Sequence, residues 1–158
     1  MKALEFRRAL PEHASRLTEI AFAGKECWGY PGEWMELWRH DLIVTTQYIR
    51  TEAVQVAEFA SEVVGFVGLS AGDEGRHIEH LWLKPEYIGR GFGRKLFEEA
   101  AHVARTEGVI KLFIKSDPNA EAFYLKMGAT RIGQEIYQLP GAVHREVPLL
   151  VYQVHSGS

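Results

Sequence analysis

The sequence predicts an α/β fold: a sheet of mixed strand direction with helices on both faces. Two observations carry this. Short strand patterns fill the middle of the chain, and strand and helix patterns then alternate to the end. A glycine-rich turn, Gly89 to Gly93, separates a strand pattern from an amphipathic helix pattern. The 158 residues make a single domain, 1–154, the natural expectation, with 155–158 as a flexible polar tail.

Each element has its own warrant. Leu4 and Phe6, beside Arg7 and Arg8, read as a first strand. Pro11 opens a helix at a tolerated position, with Ala14, Leu17, Ile20 and Ala21 at helical spacing. The aromatic turn Trp28-Gly29-Tyr30-Pro31-Gly32 ends that pattern, and a second helix is expected over 33–40. Val54–Phe59 and Val63–Leu69 flank the turn Ala60-Ser61-Glu62 as a hairpin. Arg76–Leu83 alternates polar and apolar residues as a strand and stops at Pro85. Leu96, Phe97, Ala100, Val103 and Ala104 form one helical face, closed by Gly108. Val109–Ile114 is a buried-strand pattern, and Asp117 and Pro118 start another helix that ends at Gly128. Ala129–Tyr137 and Val147–Val154 complete the strands.

Composition narrows the partners. The net charge of -3 argues against nucleic acid and against an anionic membrane, both of which favour basic patches. The N-terminus carries no signal-like apolar segment, and no run is long enough to span a bilayer. The single cysteine, Cys27, excludes an intrachain disulfide and fits a reducing compartment, so a cytoplasmic location is expected. Cys27 itself reads as a small, partly buried hydrophobe ahead of a catalytic thiol.

The glycine turn is the main chemical signal. Glycines at a helix N-terminus let backbone N–H groups approach an anion, and the helix dipole favours negative charge there. Arg90 and Arg94 add positive charge to the same segment. The spacing Gly89-x-Gly91-x-Gly93 departs from the dinucleotide fingerprint, and the Gly-Lys-Ser/Thr of a P-loop is absent.

Pro85-Glu86-Tyr87-Ile88-Gly89-Arg90-Gly91-Phe92-Gly93-Arg94 resembles the pyrophosphate loop of the GNAT N-acetyltransferase superfamily. Asn119-Ala120-Glu121-Ala122-Phe123-Tyr124 resembles that family's second block, and the strand from Ile78 to Leu83 its cofactor strand. The resemblance covers residues 54 to 137, and the N-terminal third only in element order. Ile88 departs from the usual Gln or Arg. The resemblance implies a GNAT-like fold: a mostly antiparallel, twisted sheet of six or seven strands, splayed beside the cofactor strand. It implies acetyl-CoA as cosubstrate, no metal, and transfer of the acetyl group to a primary amine by direct attack in a ternary complex. A small-molecule acceptor is expected, with a peptide acceptor or a non-catalytic acyl-CoA sensor as alternatives.

Site residues follow from the same resemblance. The cofactor would be held by Leu81, Trp82, Leu83, Ile88, Gly89, Arg90, Gly91, Phe92, Gly93, Arg94, Asn119, Ala122 and Tyr124. Backbone groups of Leu81 and Leu83 would pair with pantetheine, and the Leu83 N–H would face the oxyanion. Acetyl transfer to an amine needs a base, because a free ammonium titrates near 10. Glu79 is the candidate, on the side of the strand shared with Leu81 and Leu83 if alternation is regular, with His80 opposite. An exposed strand carboxylate would give the same pattern. A bulge, common in the family at this point, would rearrange these faces. Tyr124 is the candidate acid, more suited to hydrogen-bonding the sulfur than to full proton transfer. Trp28 and Tyr30, with Trp34 and Trp38 beyond, lie where the family binds its acceptor and suit a cation–π wall. The same aromatics would serve equally in a core or in a homodimer contact.

Overall fold

Apolar residues at strand and helix periods sort onto two sides of one sheet. The computed structural model describes residues 3–155. Seven strands form a single sheet in the order β1-β2-β3-β4-β5-β7-β6. They are β1 (Glu5–Arg8), β2 (Ala53–Phe59), β3 (Glu62–Gly72), β4 (Gly75–Leu83), β5 (Lys111–Lys115), β6 (Thr130–Leu139) and β7 (Val143–Gln153). Every neighbouring pair is antiparallel except β4 and β5, which are parallel. A parallel pair needs a crossover, and the 15-residue helix α4 (Phe92–Thr106) supplies it.

One face carries α4 and α5 (Glu121–Lys126), whose Leu96, Phe97, Ala100, Ala104 and Tyr124 pack on Val67, Leu69, Ile78, Leu112 and Leu150. The other carries α1 (Ala14–Glu26), α2 (Gly32–Leu42) and α3 (Thr46–Thr51). Their Leu17, Ile20, Met35, Leu42 and Ile49 pack on Val54, Val56 and Phe66. Two glycines set the distance on this side. A Cβ on Gly24 would meet the Trp82 ring at 2.6 Å, and one on Gly68 the Tyr48 hydroxyl at 2.7 Å.

The departures from the sequence reading are local. Helix α3 carries no strong sequence signal: it has six residues, a Thr45 side-chain cap on the Tyr48 N–H and one buried apolar residue, Ile49. The helix expected from Pro11 begins as a 3-10 turn, Pro11–His13. Cys27 is exposed, because it caps the C-terminus of α1 instead of lying on its buried face. Of the tail, only His155 lies within the described residues. Its carbonyl accepts from Arg105 Nε at 2.8 Å.

Candidate active site

The site begins where β4 and β5 part. They pair only through Arg76↔Leu112, His77↔Phe113 and Ile78↔Ile114. Beyond Ile78, β4 stays bound to β3 as far as Leu83, with no register to β5. The free edge has a definite polarity. Lys84 N donates to Val64 O at 2.8 Å, which fixes the phase of the ladder. Antiparallel hydrogen bonding alternates along a strand, so the backbone groups of Trp82 and His80 face β3. Those of Leu81 and Leu83 face the gap.

A bulge lies at the parting point. Gly68 opposes His80 and Leu69 opposes Ile78, leaving Glu79 without a cross-strand partner. The extra residue shifts the alternation by one. Ile78, Leu81 and Leu83 pack on the α4 side, while His80 lies against Tyr48 and Phe66 and Trp82 against Gly24 on the α1 side. Glu79 accepts a hydrogen bond from Ser70 Oγ, which also pairs with Tyr48 OH at 2.8 Å. This corrects the regular-strand expectation: Glu79 shares a face with His80, not with Leu81 and Leu83. Trp82 also departs from its expected role. Its backbone faces β3 and its indole packs on Gly24, so neither is aimed at the gap.

His80 and Glu79 differ in what they can do. Trp82 Nε1 donates to His80 Nδ1 at 3.1 Å. An indole N–H can only donate, so Nδ1 carries a lone pair and the ring proton sits on Nε2. Burial pushes the imidazole below its ordinary range, with the charge of Glu79 opposing. His80 is therefore a neutral donor whose basic nitrogen is already engaged. Glu79 is exposed and ends the hydroxyl chain Tyr48–Ser70–Glu79 as acceptor. Burial pushes the Tyr48 phenol well above its ordinary range, so this chain keeps its protons at neutral pH.

The glycine turn lies at the far end of the gap. Gly89 (φ 89°) and Gly91 (φ 82°) are left-handed, and a Cβ at either would meet nothing within 4 Å. Their conformation needs glycine, and the space above them is open. Gly91 is the N-cap of α4, so the free N–H groups of the helix's first turn, including that of Phe92, open toward the same space. Gly93 serves packing instead: a Cβ there would lie 3.2 Å from Phe123. The Phe92 ring is buried against Phe59 and Tyr87. The Arg90 guanidinium rests on all three rings, with centroids 5.0 to 5.3 Å away. Arg94 is exposed on the first turn of α4, and Ile88 stands 55% exposed in extended backbone.

Tyr124 projects from α5 into the core beside Phe97 and Phe123. Its phenol is pushed well above its ordinary range, by burial first and by the charge of Asp117 second. It remains a protonated donor, and no hydrogen bond from a described residue contributes to that shift. Ala122 is exposed on the same helix.

The aromatic loop is tied to this corner by a cluster that the sequence did not reveal. Asp117 caps the 3-10 turn Pro118–Ala120 by accepting from Asn119 N at 2.8 Å. The same carboxylate binds Lys25 Nζ at 2.6 Å, Tyr30 OH at 2.9 Å and Arg145 Nη2 at 3.1 Å. Tyr30 OH also accepts from Asn119 Nδ2 at 2.8 Å and from Arg145 Nη1 at 3.1 Å. Lys25 lies 4.4 Å from the Trp38 ring centroid, and Arg145 4.9 Å from that of Tyr30 and 4.7 Å from that of Trp38. The protein's own cations, Lys25 and Arg145, lie over the rings of Tyr30 and Trp38. Trp34 packs against both rings, while Trp28 is 44% exposed and free of them.

A strand pair that parts at a bulge, an exposed carboxylate there and a glycine-capped helix beyond are joined by a match to a family model. The acetyltransferase (GNAT) family model matches residues 15–129. The chain belongs to the GNAT family. Members of this family are acetyl-CoA-dependent N-acetyltransferases. The chain is 32% identical over 93 residues to the N-alpha-acetyltransferase RimI of Mycobacterium tuberculosis, covering 54% of this chain and 58% of that one. It is 30% identical over 89 residues to an uncharacterized N-acetyltransferase of Lactobacillus delbrueckii, covering 49% and 51%. The chain thus spans little more than half the length of these curated relatives. Among solved structures, a GNAT protein of Rhodopseudomonas palustris superposes with TM-score 0.79 at 23% identity, over 94% of both chains. The PaiA N-acetyltransferase of Thermoplasma acidophilum, solved with coenzyme A, superposes with TM-score 0.73 at 19% identity, over 96% and 99%. At these identities the likeness is one of fold.

Proposed function

We propose that this GNAT domain binds acetyl-CoA in the β4–β5 gap and transfers the acetyl group to the primary amine of a small molecule, entering from the α1–α2 side. The parting of β4 from β5 at the Glu79 bulge carries this reading. The residues present suit the cosubstrate. Open space over Gly89 and Gly91 and the N–H groups of α4 suit a pyrophosphate, and the backbone edge of Leu81 and Leu83 suits an extended amide chain. Bound acetyl-CoA supplies an activated thioester carbonyl.

Glu79 serves as the base, directly or through water, taking a proton from the acceptor ammonium. Ser70 and Tyr48 aim it by hydrogen bonding. The strand rise favours Leu81 over Leu83 as the oxyanion donor. Leu81 lies roughly 7 Å along β4 from Glu79 and Leu83 roughly 13 Å, too far to face the carbonyl that the same amine attacks. Leu83 then serves the pantetheine chain. Tyr124, protonated, hydrogen-bonds the sulfur. Asn119 is shared, since its amide already binds Tyr30 and links the cofactor corner to the acceptor loop.

Melting curves with coenzyme A, acetyl-CoA and NAD test the binding step. Coenzyme A at a hundred times its Kd should stabilise the fold by about 2.7 kcal/mol. No shift with coenzyme A, or a shift with NAD alone, would sink the reading. Thiol release with an amine panel tests the transfer.

A further inference from the structure

The Asp117 cluster holds more positive charge than negative. Lys25 and Arg145 converge on one carboxylate, with side chains 13%, 11% and 9% exposed for Lys25, Arg145 and Asp117. The other carboxylate that acts on Lys25, Asp41, is exposed on α2. Lys25 gains some relief from the carbonyls at the C-terminus of α1, and both cations rest against the Tyr30 and Trp38 rings, which carry no formal negative charge. Arg145 spends Nη1 on Tyr30 and Nη2 on Asp117. The rest of its donor fork has no acceptor among the described residues.

A charge withdrawn from water is costly unless it is partnered. A purely structural clamp between α1, β7 and the β5 corner would be cheaper with matched charges. Burial pushes the Lys25 ammonium below its ordinary range, Asp117 opposing and Arg145 adding to the depression. The cluster also sits close to the chemistry. Asp117 lies three residues beyond Ile114, the last partner of β4, a span of at most about 10 Å.

We propose that Lys25 and Arg145 form a subsite for an acid group on the acceptor, so that the substrate is an amine that also bears a carboxylate. This rests on the acetyltransferase reading and names its substrate class. One excess positive charge matches a singly charged carboxylate, and the planar fork of Arg145 suits its two oxygens. The same cations discourage neutral amines little and polycationic amines strongly, since an additional ammonium would face them.

The test compares matched probes: glycine, β-alanine, γ-aminobutyrate and glutamate against their carboxamides, with O-phosphoethanolamine against ethanolamine as the phosphate arm. Melting shifts are read with and without coenzyme A, and kcat/KM is read by thiol release. Carboxylates are expected to raise the melting temperature where carboxamides do not, and to be acetylated at least tenfold more efficiently. In Arg145→Met the carboxylate shift disappears and KM rises, with kcat and the coenzyme A shift kept; Arg145→Lys restores part of the preference. Lys25→Met serves as the second variant should Arg145→Met fail to fold. Equal treatment of carboxylates and carboxamides, no carboxylate shift, or a preference that survives both Met variants overturns the proposal. A response to O-phosphoethanolamine alone overturns the carboxylate in favour of a phosphate. A carboxylate shift without any coenzyme A shift leaves the acid subsite standing and sinks the acetyltransferase reading instead.

Discussion

At the scale of the residue, two neighbours on β4 have opposite capabilities because of one inserted backbone position. The bulge turns Glu79 and His80 to the same face, and the Trp82 indole then occupies the only lone pair of a neutral His80. Glu79 is left as the group that can accept a proton. Glu79→Gln keeps the shape and removes the base, so kcat/KM should fall by about 10²-fold or more, with the coenzyme A melting shift unchanged. A loss under threefold would remove Glu79 from the chemistry. His80→Gln, by contrast, should mainly lower the melting temperature. Tyr124→Phe removes only the hydroxyl, so the fold should lose little. The hydroxyl's hydrogen bond to the leaving sulfur should show as a kcat loss of about tenfold, read by thiol release under saturating acetyl-CoA. An unchanged kcat would leave Tyr124 as packing alone.

At the scale of the element, the turn before α4 joins conformation to binding. Gly91 is left-handed with nothing near its missing Cβ. Gly91→Ala should cost about 1–2 kcal/mol by backbone strain alone, read by denaturant unfolding, and should weaken coenzyme A binding as the N–H groups turn away. Gly93→Ala should act differently, by pressing α4 from Phe123, with less effect on the loop's conformation. Sequence spacing carried the strand–glycine turn–helix unit and all seven strands, because periodicity and turn residues report on local backbone. It did not carry the bulge: the polar pair Glu79-His80 sets Ile78 and Leu81 three residues apart, a single break in the alternation that a regular strand with one surface-facing histidine also fits. The pairing with Gly68 and Leu69 locates the insertion at Glu79. Helix α3 escaped because one buried residue makes no period. The partners of Asp117 escaped because Lys25 and Arg145 lie 92 and 28 residues away from it, and charge pairing at such separations leaves no local pattern.

At the scale of the whole molecule, that same carboxylate joins three parts of the chain: the end of α1 through Lys25, the aromatic turn through Tyr30, and β7 through Arg145. Its removal leaves two buried cations facing each other. Asp117→Asn should therefore destabilise the fold by about 3 kcal/mol at neutral pH, the scale for breaking a buried ion pair. The pH dependence has a definite sign. Burial alone would raise the Asp117 carboxyl, but the Lys25 charge and hydrogen bond, with Asn119 N–H and Tyr30, hold it below its ordinary value. A carboxyl depressed in the folded state binds fewer protons there than in the unfolded chain, so its contribution is complete above about pH 4, its unfolded range. The contribution fades as pH falls through the lower folded value. The gap between wild type and Asp117→Asn, measured by urea unfolding across pH, should hold from pH 7 to about 5 and close as the pH falls through the folded value, which lies below the ordinary carboxyl range. A gap that persists undiminished in acid would mean that Asp117 acts through hydrogen-bond geometry and not through charge. A carboxylate acceptor bound beside it should narrow the neutral-pH gap, because it would supply the mutant with the negative charge that Asp117 no longer provides.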